Sequence, residues 1–435
     1  MTDGSAHAVQ TPITDGVRRV NFFNGRLLTA SDLRREQDAN AVLRDRLGLA
    51  VGDGVVSGLR VGLPPAHPAP DPVHPVVRVT AGVAVNRAGH ALRLPYDVDV
   101  SLERPAGTGL ATSPAAPGGF ASCSGLPDGA PLATAGVYLL TVAPSSQAQG
   151  RAPVGGLGNE IAPCGTDADA EGVQFRIVWV SLPSAVLADP RVRNRLAHLM
   201  FGTEDDAARR LELDPFGSPA QPYGLLDQLR ATALVDQEVP LACLLWAPGQ
   251  GILFVDEWCV RRPVAVRGTD ADWPEVTSPR RRVEGQASFQ QFQAELAAVA
   301  AGAAGTPAGI RAQDRFRRLP AAGLIPLASA RFPAGFDPIQ FFDGMTTRSA
   351  TAGDDPVYLD GARLEALLQQ SFRFPAIDSQ ADELIWTYLV RQNVTRAQAD
   401  NPVQTFVLFA SGFLPYAGDA RYDLSRFDFA NYALT

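Results

Sequence analysis

Apolar and polar positions are distributed unevenly along this chain, and the period of the pattern changes several times. The first sixteen residues carry no apolar run and predict a flexible arm. At Val17 the pattern changes. Val20-Asn21-Phe22-Phe23 predicts a short apolar strand, Asn24-Gly25 is a strong turn dipeptide, and Thr29 followed by Asp32 resembles a capping box. The helix opened there is expected over about residues 30–47, with Gly48 as its stop. Its sequence, SDLRREQDANAVLRDRL, is mostly polar, with a thin stripe of Leu33, Ala41, Leu43 and Leu47. So thin a stripe means shallow docking or burial against a partner chain.

From Gly54 the period becomes two, the signature of half-buried strands. Val55 to Val61, Val76 to Thr80, Gly82 to Asn86 and Ala91 to Leu94 predict four strands, with Arg87-Ala88-Gly89-His90 as a turn. Residues 104–135 form a Gly/Pro/Ser/Ala-rich loop, and the strands Val137 to Val142 and Val173 to Leu182 complete the β unit. The stretch 143–171 between them shows no period and is expected to be a functional or interfacial loop. Helical spacing follows over 189–200 and 223–233, then a hairpin of Val239 to Ala247 and Gly251 to Asp256 across Pro248-Gly249-Gln250, with Trp246, Phe254 and Trp258 closing its core. Charged and Pro-rich residues from Arg261 to Arg282 predict a boundary, after which Ser288 caps an Ala-rich helix from Phe289 to about Ala301. The last part alternates Pro-punctuated segments with helices expected over 360–371 and 379–391, a strand from Thr405 to Phe409, and an aromatic-rich tail.

The fold class that emerges is α+β and multidomain. A flexible arm covers 1–16, and an N-terminal helix plus antiparallel β module, a small barrel or sandwich, covers 17–185. Mixed α/β segments cover 186–275, and a C-terminal helix-containing domain covers 276–435. The length of 435 residues agrees with two or three domains at roughly 150 residues each.

Composition sharpens this picture in two ways. All 38 basic residues are Arg, and the 46 acidic residues leave a formal charge of -8, which argues against non-specific nucleic-acid binding. The start MTDGSAHAVQ has no cationic segment leading into an apolar core, and Leu296 to Gly305 falls far short of a membrane span. A chain made in the cytoplasm without a signal peptide, and not inserted in a membrane, is expected. Cys123, Cys164, Cys243 and Cys259 lack CxxC spacing, so a zinc site is not expected; whether Cys123 and Cys164 pair stays open.

The chemistry-bearing motifs are missing. The sequence has no GxSxG elbow, HExxH, P-loop, EF-hand or dinucleotide-binding glycine pattern. GGLGNE at 155–160 is followed by neither a Lys nor a helix signal, and the five His have no metal-ligand spacing. Asp256, Glu257 or Asp355 could be assembled into a glycosidase pair, but 46 acidic residues permit that in any chain. Asp256-Glu257 with Arg261-Arg262 reads better as a structural ion-pair cluster, and Arg280-Arg281-Arg282 as a solvated linker. No catalytic residue, metal or cofactor is expected. The tetrapeptides FFNG at 22–25 and FFDG at 341–344 hint at an internal repeat too short to establish.

The run VRRVNFFNGRLLTASDLRREQ, residues 17–37, resembles the opening of a family of phage-tail and contractile-injection-system proteins. The matching residues are Phe22, Phe23, Gly25, Leu27, Leu28, Thr29, Asp32, Glu36 and Gln37. GVVSGLRV at 54–61 and VRVTAGVAVNRAGHALRLP at 77–95 are similar to the β unit that follows in such proteins, and YLLTV with EGVQFRIVWV extends the likeness to about residue 183. The resemblance implies a non-enzymatic structural component of a phage-tail-like particle, in the baseplate or at a fibre attachment. It also implies other subunits of that particle as partners, self-association or baseplate proteins, and release outside the cell within the particle. On that reading Arg18, Arg19, Arg34 and Arg35 pair with carboxylates of a neighbour, and Phe22 and Phe23 anchor the contact. The chain has no shaft repeat or collagen-like stalk, unlike fibre proteins. Two other classes stay open: a module whose loops 104–135 and 143–171 bind a surface glycan or protein, and a hydrolase of cell-wall or capsule sugars.

Overall fold

One β-strand at the centre of the chain separates two hydrophobic cores, and the other elements are best followed from it. The structure, a computed structural model, describes residues 17–65, 75–102, 121–122, 134–153, 164–204, 224–265, 279–302, 307–329, 333–352, 355–392 and 404–414. The amino-terminal part is α1 (Ala30–Val51) followed by β1 (Gly54–Gly58), β2 (Val61–Gly62), β3 (Val76–Val79), β4 (Gly82–Val85), β5 (Ala91–Leu94) and β6 (Val98–Ser101). These strands form two three-stranded sheets, β1-β4-β5 and β2-β3-β6. The single strand expected from Val55 to Val61 is broken because Leu59 takes a left-handed φ of 52° and turns the chain between β1 and β2. Arg261 holds that corner, donating from Nη1 to the Leu59 carbonyl at 2.7 Å.

Next come β7 (Ala121–Ser122), β8 (Gly136–Pro153) and β9 (Cys164–Val180), then α2 (Ser184–Leu187), α3 (Val192–Phe201) and α4 (Leu225–Thr232), and the hairpin β10 (Val239–Ala247) and β11 (Gly251–Asp256). Strand β10 lies between β8 and β11, and eight of its nine residues are buried. Alternation sends its neighbours to opposite sides. Tyr138, Leu140, Val142 and Leu244 meet Val77, Val79, Leu92 and Leu94 of the small sheets on one face. Val137, Leu139, Cys243 and Leu245 meet Leu196, Met200 and Phe201 of α3 and Leu226 and Leu229 of α4 on the other. The arrangement is layered, and no barrel closes among the described residues.

The expected loop 143–171 is largely strand. Strands β8 and β9 pair antiparallel from Val137 with Val180 out to Pro153 with Cys164, as a hairpin arm of 18 and 17 residues. Residues 148–150 and 167–169 of this arm are Gly, Ala and polar types exposed on both faces, so no apolar alternation marks them as strand. Cys123 and GGLGNE lie outside the described residues, as does the C-terminal tail.

The remainder is α5 (Pro279–Gly302), α6 (Ala312–Arg315), β12 (Arg318–Leu319), β13 (Ala322–Pro326), α7 (Pro338–Phe341), β14 (Thr347–Ser349), β15 (Thr351–Ala352), β16 (Asp355–Pro356), α8 (Gly361–Ser371), β17 (Ile377–Asp378), β18 (Ile385–Arg391) and β19 (Thr405–Ser411). A four-stranded sheet ordered β13-β19-β18-β14 carries two further cores. Phe292 and Leu296 of α5 pack with Phe316, Phe336, Phe341 and Phe409 on one side, and Leu367 of α8 packs with Tyr388 and Leu408 on the other.

Two expectations for this part are corrected. The helix expected over 379–391 is instead β18, because Ile-Trp-Thr-Tyr-Leu-Val is β-branched and aromatic and pairs along its whole length with β19. Ser288 is not a cap: α5 begins nine residues earlier, so Arg280-Arg281-Arg282 is its first turn rather than a linker. Helix α5 places Ala287 in the α3/α4 core and Phe292 and Leu296 in the next. Asn194 of α3 completes the junction, donating to the Arg318 carbonyl at 3.0 Å and accepting from its N–H at 2.9 Å.

A buried polar node lies at this junction. Arg193 pairs with Asp256 at 2.8 Å, and the Gln291 amide donates to Asp256 at 3.1 Å and to Glu295 at 2.6 Å. Burial raises the Glu295 carboxyl to about 8, against the pull of Arg193 and Gln291. A carboxyl raised from 4.5 binds its proton more tightly when folded, so its contribution is complete below pH 4.5 and is lost as pH climbs towards 8. Glu295→Gln is therefore expected to flatten the stability slope between about pH 5 and 8, recovering on the order of 1–3 kcal/mol at the alkaline end. Urea midpoints across that range measure it, and an unchanged slope would refute the assignment.

Candidate functional site: the amino-terminal helix and its approach

Helix α1 is built by local chemistry and held by few tertiary contacts. Thr29 caps it: its Oγ1 accepts from the Asp32 N–H at 3.2 Å, and Asp32 Oδ2 accepts from the Thr29 N–H at 3.1 Å. The Thr29 hydrogen bonds hold the Asp32 carboxyl below its usual range, and Arg26 reinforces them at 2.7 Å. The approach folds back on the helix through the Val20 N–H, which donates to Glu36 at 3.3 Å. Among the helix residues only Asp32 and Ala39 are buried.

At the other end α1 rests on the β4–β5 turn. Asp45 faces His90 at 3.4 Å, and a Cβ at Gly48 would sit 1.8 Å from the Gly89 carbonyl oxygen. Gly48 therefore permits close approach rather than ending the helix, which runs on to the cap at Gly52. Gly48→Ala is expected to lift α1 from the turn at a cost of about 1–3 kcal/mol. Faster amide exchange in residues 39–51, with the β cores still protected, is the expected result; unchanged exchange would show that the helix is held elsewhere.

Arg18, Arg19, Phe22, Phe23, Arg34 and Arg35 are all exposed. The strand expected over 20–23 does not form, because no strand lies alongside for it to pair with among the described residues. Phe22 and Phe23 are 53% and 64% exposed. The comparison with the second tetrapeptide is informative. In FFNG the Arg26 N–H donates to Phe23 O at 3.2 Å with Gly25 at φ 92°, and in FFDG the Met345 N–H donates to Phe342 O at 2.9 Å with Gly344 at φ 81°. The same turn forms twice, yet Phe341 and Phe342 are buried in a core of rings. The amino-terminal pair is exposed, with Arg26 6.0 Å above the Phe23 ring.

Sequence reasoning missed how far this apolar surface extends. Leu27 and Leu28 of the approach are exposed, as are Leu33, Val42, Leu47, Leu49 and Val51 of α1. Leu33, Asn40, Arg44, Leu47 and Val51, spaced by seven, four, three and four residues, share one outer flank of the helix. The only early signal was the thinness of the stripe, which could not show that Leu33 and Leu47 face outward.

Catalytic arrangements fare differently. Of the expected cluster, Glu257 pairs with Arg261 at 3.7 Å, but it also takes Arg60 at 3.2 Å, and Asp256 is held by Arg193 and Gln291 instead. Arg262 instead donates to the carbonyls of Trp258 and Cys259. Ser288, His198 and Glu284 line one narrow cleft between α3, α5 and the 371–376 loop. His198 Nδ1 is spent on Thr203 at 2.6 Å, burial lowers its pKa to about 3, and Ser288 Oγ makes no hydrogen bond. A nucleophile and its base are not in contact there. Among the described residues no three His, Cys, Asp or Glu side chains are grouped to hold a metal, and no helix is long and apolar enough to cross a membrane.

No known family model matches the chain, and no curated protein matches it. The surface around α1 must therefore be interpreted on its own geometry.

Proposed function

We propose that this chain is a non-enzymatic structural component of a contractile injection system or related phage-tail-like particle, at the baseplate or a fibre attachment. The observation that carries the reading is the set of exposed apolar side chains between Phe22 and Val51, of which Leu33, Leu47 and Val51 share the outer flank of a pre-capped, lightly docked helix. Large apolar side chains clustered on a rigid element and rimmed by charge mark protein interfaces rather than free surface. The likeness of residues 17–37 to tail-protein openings names the kind of assembly, and the partners are other subunits of that particle.

Sedimentation of lysate from the native host, probed with an antibody to this chain, tests the reading. Co-migration with high-mass tail-like particles is the expected result. A position near the 46.2 kDa monomer without particle signal would overturn it and direct attention to glycan arrays and hydrolase screens.

A further inference from the structure

The distal arm formed by β8 and β9 carries three carboxylates that have no ion pair among the described residues. Asp167, Asp169 and Glu171 alternate along β9 and are exposed, so they share one face of the ribbon. That face, continued along the strand, carries Val173, Phe175 and Ile177 onto the first core. Across the hairpin Glu171 is opposite Ser146 and Asp169 opposite Ala148, and Gly150 lies against Asp167. The cross-strand neighbours are small and uncharged, which leaves room for long side chains to lie flat between the carboxylates.

Helix α1 presents the complement. Arg18, Arg19, Arg34 and Arg44 are exposed, and among the described residues neither they nor the three arm carboxylates have an ion pair. The dimensions also agree. The three carboxylates span roughly 13 Å along an extended strand. Arg34 and Arg44 are separated by roughly 15 Å along a helix. The 22 residues of α1 extend about 33 Å, and the part of β8 beyond its pairing with β10 at Val142 is of similar length, about 36 Å.

We infer that the acidic face of the arm docks on the outer flank of α1 in a second copy of the chain, Asp167, Asp169 and Glu171 meeting Arg18, Arg19, Arg34 and Arg44. Leu33, Leu47 and Val51 then pack beside Ala148 in the same contact. Because the two patches differ and both belong to every copy, the contact either closes reciprocally as a two-fold dimer or runs head-to-tail. Repetition gives a ring if the rotation closes and an open filament if it does not. The inference rests on the assembly role proposed for α1 and names a second copy as its neighbour.

Sedimentation velocity of the full-length protein tests it with two charge-reversed variants, D167R/D169R/E171R on the arm and R18E/R19E/R34E/R44E on the helix. All seven positions are exposed, so far-ultraviolet circular dichroism should match wild type. Wild type is expected to associate with rising concentration, less so as salt is raised from about 50 to 500 mM. Each variant alone should lose association at least about tenfold, since its like charges now face each other. An equimolar mixture of the two should regain it, because each arm again meets a helix of opposite sign.

A monomeric wild type at low salt, variants that associate like wild type, or a mixture that fails to recover would each overturn the inference. The lysate experiment separates this from the broader proposal. A chain that is monomeric when pure yet sediments with particles keeps its assembly role through another subunit. A chain that self-associates but is missing from particles loses the proposed function and keeps the contact.

Discussion

Phe22→Ala combined with Phe23→Ala is expected to leave the thermal midpoint within about 1 °C of wild type while reducing recovery in the particle fraction at least tenfold, to roughly background. The two halves of the expectation have different origins. Substitution of a buried Phe costs about 3–5 kcal/mol, which would apply here had the short strand expected over Val20–Phe23 packed into a core. With both rings more than half exposed the folded chain loses little, since surface changes usually stay within about 0.5 kcal/mol. An interface anchored by two aromatic side chains loses far more, about 2 kcal/mol or more for each central ring. Quantitative blotting across a gradient, with melting of the purified variant as control, measures both. Phe341→Ala with Phe342→Ala is the matched control, because the same turn with buried rings should fail in folding instead. Unchanged recovery of the first variant would remove the anchor.

Glu238→Leu is expected to destabilise the fold by about 3–5 kcal/mol, the largest effect of a single substitution foreseen here. Glu238 is buried and takes both Nε and Nη2 of Arg176, at 2.5 and 2.6 Å. It also accepts from Thr141 Oγ1 at 2.8 Å and from the Val235 N–H at 3.0 Å. Removal of the carboxylate takes away the two-pronged partner of a largely buried guanidinium where β8, β9 and the segment after α4 meet, leaving the Ala233 carbonyl at 2.8 Å as an acceptor from its Nη2. The double variant R176M/E238L should recover most of the loss, since an apolar pair of similar volume avoids the desolvation of two charges. Urea denaturation of the two single variants and the double closes the cycle, and a loss below about 1 kcal/mol for Glu238→Leu would show that the pair is hydrated.

Strong local signals in the sequence were fulfilled. The Thr29 and Asp32 capping box, the Asn24-Gly25 turn, the Ala91–Leu94 strand and the β10–β11 hairpin each form where residue chemistry predicts them. Two of the departures share a cause, that distant partners decided the conformation. Ile385–Arg391 is a strand because β19 lies alongside it, and Gly48 stays helical because Gly89 leaves room only for a hydrogen. The arm escaped notice because strands solvated on both faces need no apolar alternation. At the candidate site the residues were legible and their environment was not. FFNG and FFDG encode one turn, and only the surrounding core makes one pair of rings an interior and leaves the other outside.

Helix α5 has a mechanical consequence. Its side chains serve the cores on either side, and the Asn194 clasp on the Arg318 backbone fastens the same seam. Movement of the core on one side of this seam is thus coupled to the core on the other through one helix and two hydrogen bonds. If the chain serves the contractile particle proposed above, such a splice would pass displacement between neighbours without spending it on bending within the subunit.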